Sequence, residues 1–473
     1  MATSTASPAN TALETAFARL KAGYASNPFP DLRTRQKHLK ALRKALLSRQ
    51  EDFARAISED FGGRSRTEVL YSEVFVSIHT IRNAESNVAR WMEERPVEVD
   101  WPLQFASAWL MPQPAGVIGV ISPWNYPIFL FMGPLAGALA SGNRVLLKPS
   151  EFTPATSVLL AKMIADTFAP DHVTVVQGGP DVGVAFSRLP FDHLLFTGST
   201  AIGRKVMQAA AENLTPVTLE LGGKSPALIA PDANLKRAAD DIVYGKLLNA
   251  GQTCIAPDYV LIRRSDRDRF VDLLRAAVEK RYPRAASNPD YTSIINDQQF
   301  ARLTGYQNEA KAAGAAVVSL SSTETDAKTR RMAPCAILDP DENLAVMQEE
   351  IFGPILPIRS YDSIDQAVDY INAHPRPLAM YLFSGSDRTI DSVLKRTVAG
   401  GVCVNDTLVQ IVADGLPFGG AGLSGIGQYH GKAGFDTFSK IKPVFRRHGI
   451  GIGASLRPPY GKIHEMMRKL LIR

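Results

Sequence analysis

Cysteine is scarce in this sequence. Cys254, Cys335 and Cys403 are its only three cysteines among 473 residues, and they are widely spaced. An odd number at these separations excludes a disulfide framework like those of small secreted domains, and no CxxC pair is present to hold a metal. We therefore expect a reducing compartment, the cytoplasm, and no metal site.

Excess charge of one sign is also lacking. The 53 basic and 47 acidic residues give a net charge of +6, which is small for this length. No basic block stands out, because the run RRSDRDR from Arg263 is interrupted by Asp266 and Asp268. Nucleic-acid binding needs a concentrated basic surface, so we expect no nucleic-acid partner.

The sequence has no clean run of about 20 apolar residues, the length needed to cross a bilayer. Residues 101–143 contain no charged residue, but five prolines between Pro112 and Pro134 interrupt them. We expect a buried strand and helix there and no membrane span. Met1 to Asn10 lacks the basic start and apolar centre of a secretory signal.

Apolar residues recur on one helical face near the carboxyl end: Ile463, Met466, Met467, Leu470 and Leu471. Because the segment is short, we expect this face to pack against the same chain or a partner subunit rather than a membrane.

What the sequence does contain is a regular alternation of strand and helix patterns. The composition, 45% hydrophobic and 21% charged, is typical of a soluble globular protein with two or three domains. Residues 12–61 are helical in pattern. Five apolar strands alternate with helices from Gly116 to Gly223, and a second alternating region follows Cys254. This pattern predicts an α/β fold with parallel sheets covered on both faces.

Two reactive side chains stand beside glycines in the middle of the chain. Glu220 ends the apolar run PVTLE and comes shortly before Gly222, and Cys254 follows GQT. A thiol can attack a carbonyl carbon, and a carboxylate can take a proton from the water that releases the adduct. A buried cysteine and a surface glutamate at a strand end would explain the same two residues.

Several polar or glycine residues fall at the carboxyl ends of predicted strands, where open parallel sheets bind ligands. FTGSTAIG, residues 196–203, predicts a strand, a glycine turn and a helix whose free N–H groups can face a pyrophosphate. A tight turn without a ligand fits equally well. Gly420–Gly425 matches G-x-G-x-x-G, but no strand precedes it, so we interpret it as a turn-rich loop.

Lys148, Glu151 and Asn125 also follow predicted strands. The first two suit ribose hydroxyls, with the lysine donating and the glutamate accepting, although a surface lysine and a helix-start glutamate are the simpler interpretation. The Asn125 amide could donate to an oxyanion together with the backbone N–H of Cys254, or it could be a turn residue between two prolines.

Taken together, the motifs resemble the NAD(P)-dependent aldehyde dehydrogenase superfamily. PWNYP, KPSE, FTGSTAIG, LELGGKSP, GQTC, EEIFGP and PFGG occur in that family's order across residues 12–445. The carboxyl-terminal motif PFGGAGLSGIGQYHGKAGFDTFSK is similar to that of the shorter, class-three-like branch. Tyr126 replaces the phenylalanine frequent in longer members, which affects the substrate funnel.

The resemblance implies residue roles by motif. Cys254 would be the nucleophile, Glu220 the general base, and Asn125 with the Cys254 N–H the oxyanion hole. The implied cofactor is NAD, with NADP as the alternative, and Glu151 favours NAD because it would repel a 2′-phosphate. The implied cofactor-binding residues are Lys148, Glu151, Gly198, Ser199, Gly203, Leu221, Glu350 and Phe352. The implied substrate residues are Tyr126, Leu130 and Thr253.

The resemblance also implies an organisation: a Rossmann-like nucleotide-binding domain, an α/β catalytic domain and a small oligomerisation segment, in a homodimer. The corresponding ranges are 1–86 with 108–218, then 219–405, then 87–107 with 406–445, and a tail over 446–473. The substrate would be an aromatic or hydrophobic aldehyde such as coniferyl aldehyde. Phe129, Phe131 and Tyr126 beside the oxyanion hole would suit such a substrate, although packing in the core is the simpler interpretation of these rings.

Two other functions are compatible with this family. In a CoA-acylating dehydrogenase a thiol, not water, receives the acyl group, so the activating base Glu220 argues for hydrolysis. A binding or structural protein that retained the fold without the chemistry would be expected to lack Cys254, Glu220 or Asn125. All three are present.

Overall fold

The computed structural model describes residues 8–100, 103, 105–448 and 457–472. Numbered along the chain, the strands are β1 (Arg95–Val97), β2 (Ala106–Pro114), β3 (Val117–Ile121), β4 (Arg144–Lys148), β5 (Val173–Val175), β6 (His193–Thr197), β7 (Val217–Glu220), β8 (Pro226–Ile229), β9 (Tyr259–Arg263), β10 (Ala316–Ser319), β11 (Cys335–Leu338), β12 (Ile355–Tyr361), β13 (Ala379–Phe383), β14 (Gly401–Val404), β15 (Gly425–Ile426) and β16 (Ser439–Arg447).

The α-helices are α1 (Pro8–Ser26), α2 (Leu32–Leu47), α3 (Gln50–Phe61), α4 (Arg66–Val69), α5 (Val76–Trp91), α6 (Phe129–Ala140), α7 (Pro154–Thr167), α8 (Pro180–Ser187), α9 (Thr200–Ala211), α10 (Leu235–Leu247), α11 (Arg267–Arg281), α12 (Asp297–Ala312), α13 (Ala345–Gln348), α14 (Ile364–Ala373), α15 (Asp387–Arg396), α16 (Gly431–Thr437) and α17 (Lys462–Leu471). A π-helix, Leu70–Phe75, joins α4 to α5.

The five predicted apolar strands form one parallel sheet. Its order is β15-β7-β6-β3-β4-β5, and the two-residue β15 pairs antiparallel to β7 at the edge. Every residue of β3, β4 and β6 is buried, as expected for strands covered by helices on both faces. The motif Gly420–Gly425 is mainly a loop, as predicted, and its last glycine begins β15.

The second α/β region forms a seven-stranded sheet in the order β10-β11-β12-β9-β8-β13-β14. Only the β10–β11 pair is antiparallel. Strand β8 has no counterpart in the sequence analysis, because its four residues follow directly on the LGGKS loop. It lies inside the sheet between β9 and β13. Because β7 ends at Glu220 and β8 begins at Pro226, five residues connect the two sheets.

The helical pattern over residues 12–61 forms three helices rather than one. The break after α1 holds Pro28 and Pro30, and Asp31 then caps α2 by accepting a hydrogen bond from the Thr34 N–H at 2.8 Å. Helix α3 ends at Gly62, whose φ of +71° is the left-handed conformation common at helix ends.

Strands β1, β2 and β16 form a separate antiparallel sheet. Ser439 pairs with Pro114 and Arg447 with Ala106, so residues more than 300 positions apart lie side by side. The ranges 87–107 and 406–445 contribute to this sheet, and their bridging role between subunits stays a prediction. No helix in the described part of the chain is long and apolar enough to cross a membrane.

Candidate active site

Cys254 follows a turn with an unusual backbone. Asn249 and Ala250 both have φ of +51° and Gly251 has φ of +76°, so three successive residues are left-handed. Gly251 cannot be replaced without a clash, because an added Cβ would lie 2.8 Å from the carbonyl carbon of Gly353. Cys254 emerges from this turn half-buried.

The side chain of Gln252 holds that turn in place. Its amide nitrogen donates to the carbonyl oxygens of Asn249 at 3.0 Å and Ser293 at 3.1 Å. Its amide oxygen accepts from the Ile295 N–H at 2.9 Å. A fully bonded, fully buried glutamine fixes the loop two residues before the thiol.

Asn125 is brought to the same turn. Its side-chain nitrogen donates to the carbonyl oxygen of Gln252 at 3.2 Å. Its own carbonyl oxygen accepts from the Asn249 side chain at 2.9 Å and from Arg64 at 3.1 Å. Asn125, four residues after the end of β3, and Gln252, two residues before Cys254, are therefore hydrogen-bonded neighbours, although 127 positions separate them.

Glu220 is the last residue of β7 and only 2% of it is exposed. Neither carboxylate oxygen has a hydrogen-bond partner among the described residues. Burial raises its pKa well above the usual value. The pKa of the Cys254 thiol is raised, mainly by burial and then by the carboxylates of Glu350 and Glu220. Hydrogen bonds from the backbone N–H groups of Cys254 and Ile255 act in the opposite direction and lower this pKa. Both carboxylates therefore act electrostatically on the Cys254 thiol.

A cavity of about 580 Å³ reaches Cys254 from the surface. Tyr126, Leu130 and Thr253, the three predicted substrate residues, all line it, and the Tyr126 hydroxyl is 2.7 Å from the Thr253 hydroxyl. Most of the other lining side chains are also apolar or aromatic. Counting Tyr126, six aromatic side chains line the cavity: Tyr71, Phe75, Tyr126, Phe129, Tyr244 and Tyr282. Phe131 does not line the cavity but is fully buried in the core under α6, as the simpler interpretation of this ring predicts.

Lys148 and Glu151 lie at the end of β4, on the sheet edge that also carries Glu220. The Lys148 ammonium donates to the Glu151 carboxylate at 3.1 Å. About a third of the Glu151 side chain is exposed, so it remains accessible to a ligand hydroxyl. An ion pair at this edge suits a ribose, as the sequence predicts.

The glycine turn before α9 gives its three predicted residues different environments. Ser199 is the residue before the helix and its side chain makes no capping hydrogen bond, which leaves the first N–H groups available. Gly198 donates its N–H to the Glu220 carbonyl oxygen at 3.0 Å. Gly203 donates to the Ser199 carbonyl oxygen at 2.9 Å, and a Cβ there would meet the Leu221 side chain at 2.6 Å. Gly203 and Leu221 therefore pack helix against strand.

The segment Glu349–Pro354 carries Glu350 and Phe352. One Glu350 oxygen has no partner among the described residues, and burial raises the pKa of this carboxyl to about 8. The other oxygen fills the space beside Gly222 that a side chain would need. Phe352 is left-handed, with φ of +52°, and its ring meets Trp124 edge-on at 5.4 Å.

Two basic residues that the sequence analysis did not single out hold this segment. Lys224 donates to the carbonyl oxygens of Val346 at 2.8 Å and Glu349 at 2.9 Å. Arg302 donates to the Ile351 carbonyl oxygen at 2.7 Å. Lys224 follows the LELGG motif directly, and that position is the only signal that could have indicated its role.

A buried ion pair under Asn125 was also missed. Arg64 donates to Glu73 at 3.0 Å and to Glu68 at 2.8 Å, besides its bond to the Asn125 carbonyl. The second Glu73 oxygen accepts from the N–H groups of Ile128 and Phe129, at the start of α6. Glu73 lies in the π-helix, an element that is often found at functional sites. The sequence signal that could have indicated this role is a glutamate directly before the apolar Val74 in a predicted amphipathic helix.

The donors and acceptors at this edge fit a dinucleotide. Uncapped N–H groups at α9 suit a pyrophosphate, and Glu151 and Glu350 present carboxylates that suit ribose hydroxyls. Glycine is needed at 198 and 222, because the Phe196 ring and the Glu350 carboxylate occupy the positions that an added Cβ would take. Glu220 ends β7 at this edge, and its charge acts on the Cys254 thiol that lines the cavity.

Comparison with known proteins gives one consistent result. The model of the Aldehyde dehydrogenase family matches residues 1–444. The probable coniferyl aldehyde dehydrogenase of Pseudomonas aeruginosa is 49% identical over 462 residues, which covers 98% of this chain and 96% of the relative.

Solved structures agree. The substrate-bound state of Staphylococcus aureus AldH has a TM-score of 0.91 at 36% identity, covering 97% of this chain and 99% of that one. The NAD⁺ complex of an aldehyde dehydrogenase from Bacillus cereus has a TM-score of 0.84 at 26% identity, covering 93% and 89%. The predicted fold class is confirmed.

Proposed function

The chain belongs to the aldehyde dehydrogenase family, and from that premise we propose that it oxidises an aromatic aldehyde to the carboxylic acid with NAD. Membership makes it an oxidoreductase that uses a nicotinamide cofactor. The observation that carries the proposal is the aromatic cavity that ends at the Cys254 thiol, with the buried carboxylate of Glu220 within electrostatic reach.

In this proposal Cys254 is the nucleophile. Once the thiol has lost its proton to solvent, the thiolate sulfur bonds to the aldehyde carbon and the C=O π bond breaks. Its electron pair becomes an oxyanion that the Asn125 amide and the Cys254 N–H stabilise. One N–H of the Asn125 side-chain amide donates to the Gln252 carbonyl oxygen. The second N–H of that amide is left to donate to the oxyanion. Because the Gln252 side chain fixes the turn, both donors are held in place before the reaction, as an oxyanion hole requires.

Glu220 is the proposed general base. A nicotinamide cofactor, when bound, supplies the hydride acceptor. What this chain supplies afterwards is a carboxylate that takes a proton from water, so that hydroxide attacks the thioester on Cys254 and releases the acid. A buried carboxylate with a raised pKa is a stronger base than an exposed one, which suits this step.

An aromatic substrate is supported by two independent features. Six aromatic side chains line the cavity, among them Phe129 and Tyr282. The Pseudomonas aeruginosa relative is named for coniferyl aldehyde, a phenolic cinnamyl aldehyde, at 49% identity over nearly all of both chains. We therefore propose coniferyl aldehyde or a close analogue as the substrate.

A preference for NAD over NADP is proposed from Glu151. Its carboxylate would accept a hydrogen bond from a free ribose 2′-OH and would repel a 2′-phosphate. Glu151→Gln should therefore lower kcat/KM with NAD and raise it with NADP. Unchanged efficiency with both cofactors would contradict this role.

We also infer a cytoplasmic homodimer. The three cysteines are free and widely spaced, which suits a reducing compartment. The resemblance to the shorter family branch supports a dimer, in which β1, β2 and β16 would form the bridging segment between subunits.

The proposal is tested with purified protein and a panel of aliphatic, benzylic and cinnamyl aldehydes. We expect NADH and carboxylic acid in equal amounts, and the highest kcat/KM for a cinnamyl aldehyde. Faster turnover of straight-chain aldehydes would contradict the aromatic assignment. If coenzyme A were consumed in proportion to NADH, acyl transfer to a thiol would replace hydrolysis.

A further inference from the structure

Charge is concentrated near the carboxyl end of the sequence. Residues 440–473 hold nine of the 53 basic residues but only one of the 47 acidic ones. This segment therefore has a net charge of +8, and the other 439 residues together carry −2. These basic residues are dispersed over two elements and the segments beside them, so no contiguous run of lysine and arginine marks the excess.

The first of these elements is the edge strand β16. Lys440, Lys442 and Arg446 are two or four residues apart, so they share one face of the strand. All three are exposed, and none has an acidic partner within the described residues. This strand face presents positive charge alone.

The second element is α17. Lys462, Arg468 and Lys469 are exposed, and only Arg468 meets an acidic group, Glu465 at 2.5 Å. Ile463 and Met466 are three positions apart, so they lie on one face of the helix. They are 64% and 68% exposed.

These two residues therefore do not pack against the same chain, and packing against a partner subunit stays a prediction. A helix that combines exposed apolar residues with basic ones is typical of elements that lie in a membrane interface. With ten residues, α17 is about 15 Å long, half the thickness of the hydrocarbon core, so it can lie on a bilayer but not cross it.

We propose that α17 binds the surface of a bilayer that contains anionic phospholipid. A second copy of this chain fits α17 less well than a lipid surface does. The 439 residues outside 440–473 carry a net charge of only −2, and the second copy brings its own basic segment. An anionic lipid surface complements both the charge and the apolar residues. The proposal is independent of the aldehyde substrate.

The experiment is vesicle co-sedimentation of the full-length protein. We expect binding to vesicles of 70% phosphatidylcholine and 30% phosphatidylglycerol at low salt, weak binding to pure phosphatidylcholine, and release at 0.5 M salt. Each basic residue near such a surface strengthens partition about fivefold. Replacing Lys462, Arg468 and Lys469 by glutamine should therefore lower partition roughly a hundredfold. Met466→Ser should lower it about tenfold.

The matched control removes three charges elsewhere. Lys37, Lys40 and Lys44 are exposed and share one face of α2, and their triple glutamine variant should keep partition within a few-fold of the parent. Equal losses in the two triple variants would overturn the proposal, as would absence of binding to the anionic vesicles. A change of oligomeric state in the α17 variant, with vesicle binding unaltered, would assign the helix to a second copy instead.

Discussion

Asn125 is held in place by hydrogen bonds to residues that are distant from it in the sequence. Its side chain holds the Gln252 carbonyl, and its own carbonyl is held by Asn249 and Arg64. The sequence identified Asn125 from the PWNYP motif and left open whether it was a turn residue. It could not identify Arg64 or Asn249, because those bonds exist only after distant segments have come together.

Removing the Asn125 amide tests the oxyanion role. Asn125→Ala should lower kcat by about 10²–10³ because one of two donors to the oxyanion is lost. The turn should persist, since Asn249 also donates to the Gln252 carbonyl, at 3.1 Å. NADH affinity, measured by fluorescence titration, should stay unchanged.

Asn87→Ala is the control, because it removes an amide from α5 away from the cavity, and turnover should match that of the parent. Near-normal kcat in Asn125→Ala would contradict the assigned role.

The pH dependence of turnover reports on Glu220. Burial holds the pKa of this carboxyl well above its usual value, and only the ionised form can accept a proton. As the pH falls through the raised pKa, the base is protonated and thioester hydrolysis slows. We expect kcat to fall on the acid side at a higher pH than an exposed glutamate would give. A rate of acyl release that is constant from pH 5 to 9 would contradict this.

At the scale of elements, regular local patterns were the predictable part. Strands β3 to β7 and the helices between them follow from alternating apolar runs, and their order in the chain predicts a parallel sheet. Strand β8 was missed because four apolar residues after a glycine-rich loop give no periodic signal. The pairing of β2 with β16 was missed because strand pairing across more than 300 residues leaves no local pattern.

The π-helix that carries Glu73 links two elements to the site. Its carboxylate joins Arg64 to the first turn of α6, and Arg64 reaches the Asn125 carbonyl. Breaking a buried ion pair leaves an uncompensated charge and typically costs 3–5 kcal/mol. Glu73→Gln should lose about 3 kcal/mol in the free energy of unfolding, because Glu68 remains with Arg64. Urea unfolding measures this.

The matched control for that variant is Glu85→Gln. Glu85 pairs with Arg43 at 2.9 Å between α2 and α5, with both side chains partly exposed. A pair of this kind contributes about 1 kcal/mol or less. Equal losses in the two variants would show that the buried pair has no special role.

At the scale of the whole molecule, the site depends on two sheets that meet. Glu220 ends a strand of the first sheet, and Cys254 precedes β9 of the second, with the α10 helix between them. Motif order predicted that these residues converge, but it did not predict what supports them. Gln252 is hydrogen-bonded to Ser293 and Ile295, which lie 41 and 43 positions further along the chain. Such support is a property of tertiary packing, and no spacing in the sequence encodes it.

The most direct test of this convergence is the fate of the acyl group in Glu220→Gln. The variant, mixed with NAD and a cinnamyl aldehyde and stopped with acid, is digested and its three cysteine peptides are weighed by mass spectrometry. We predict a burst of NADH near one per subunit and an acyl group on Cys254, with Cys335 and Cys403 unmodified. Steady turnover at the parent rate without an acyl group on Cys254 would contradict the account.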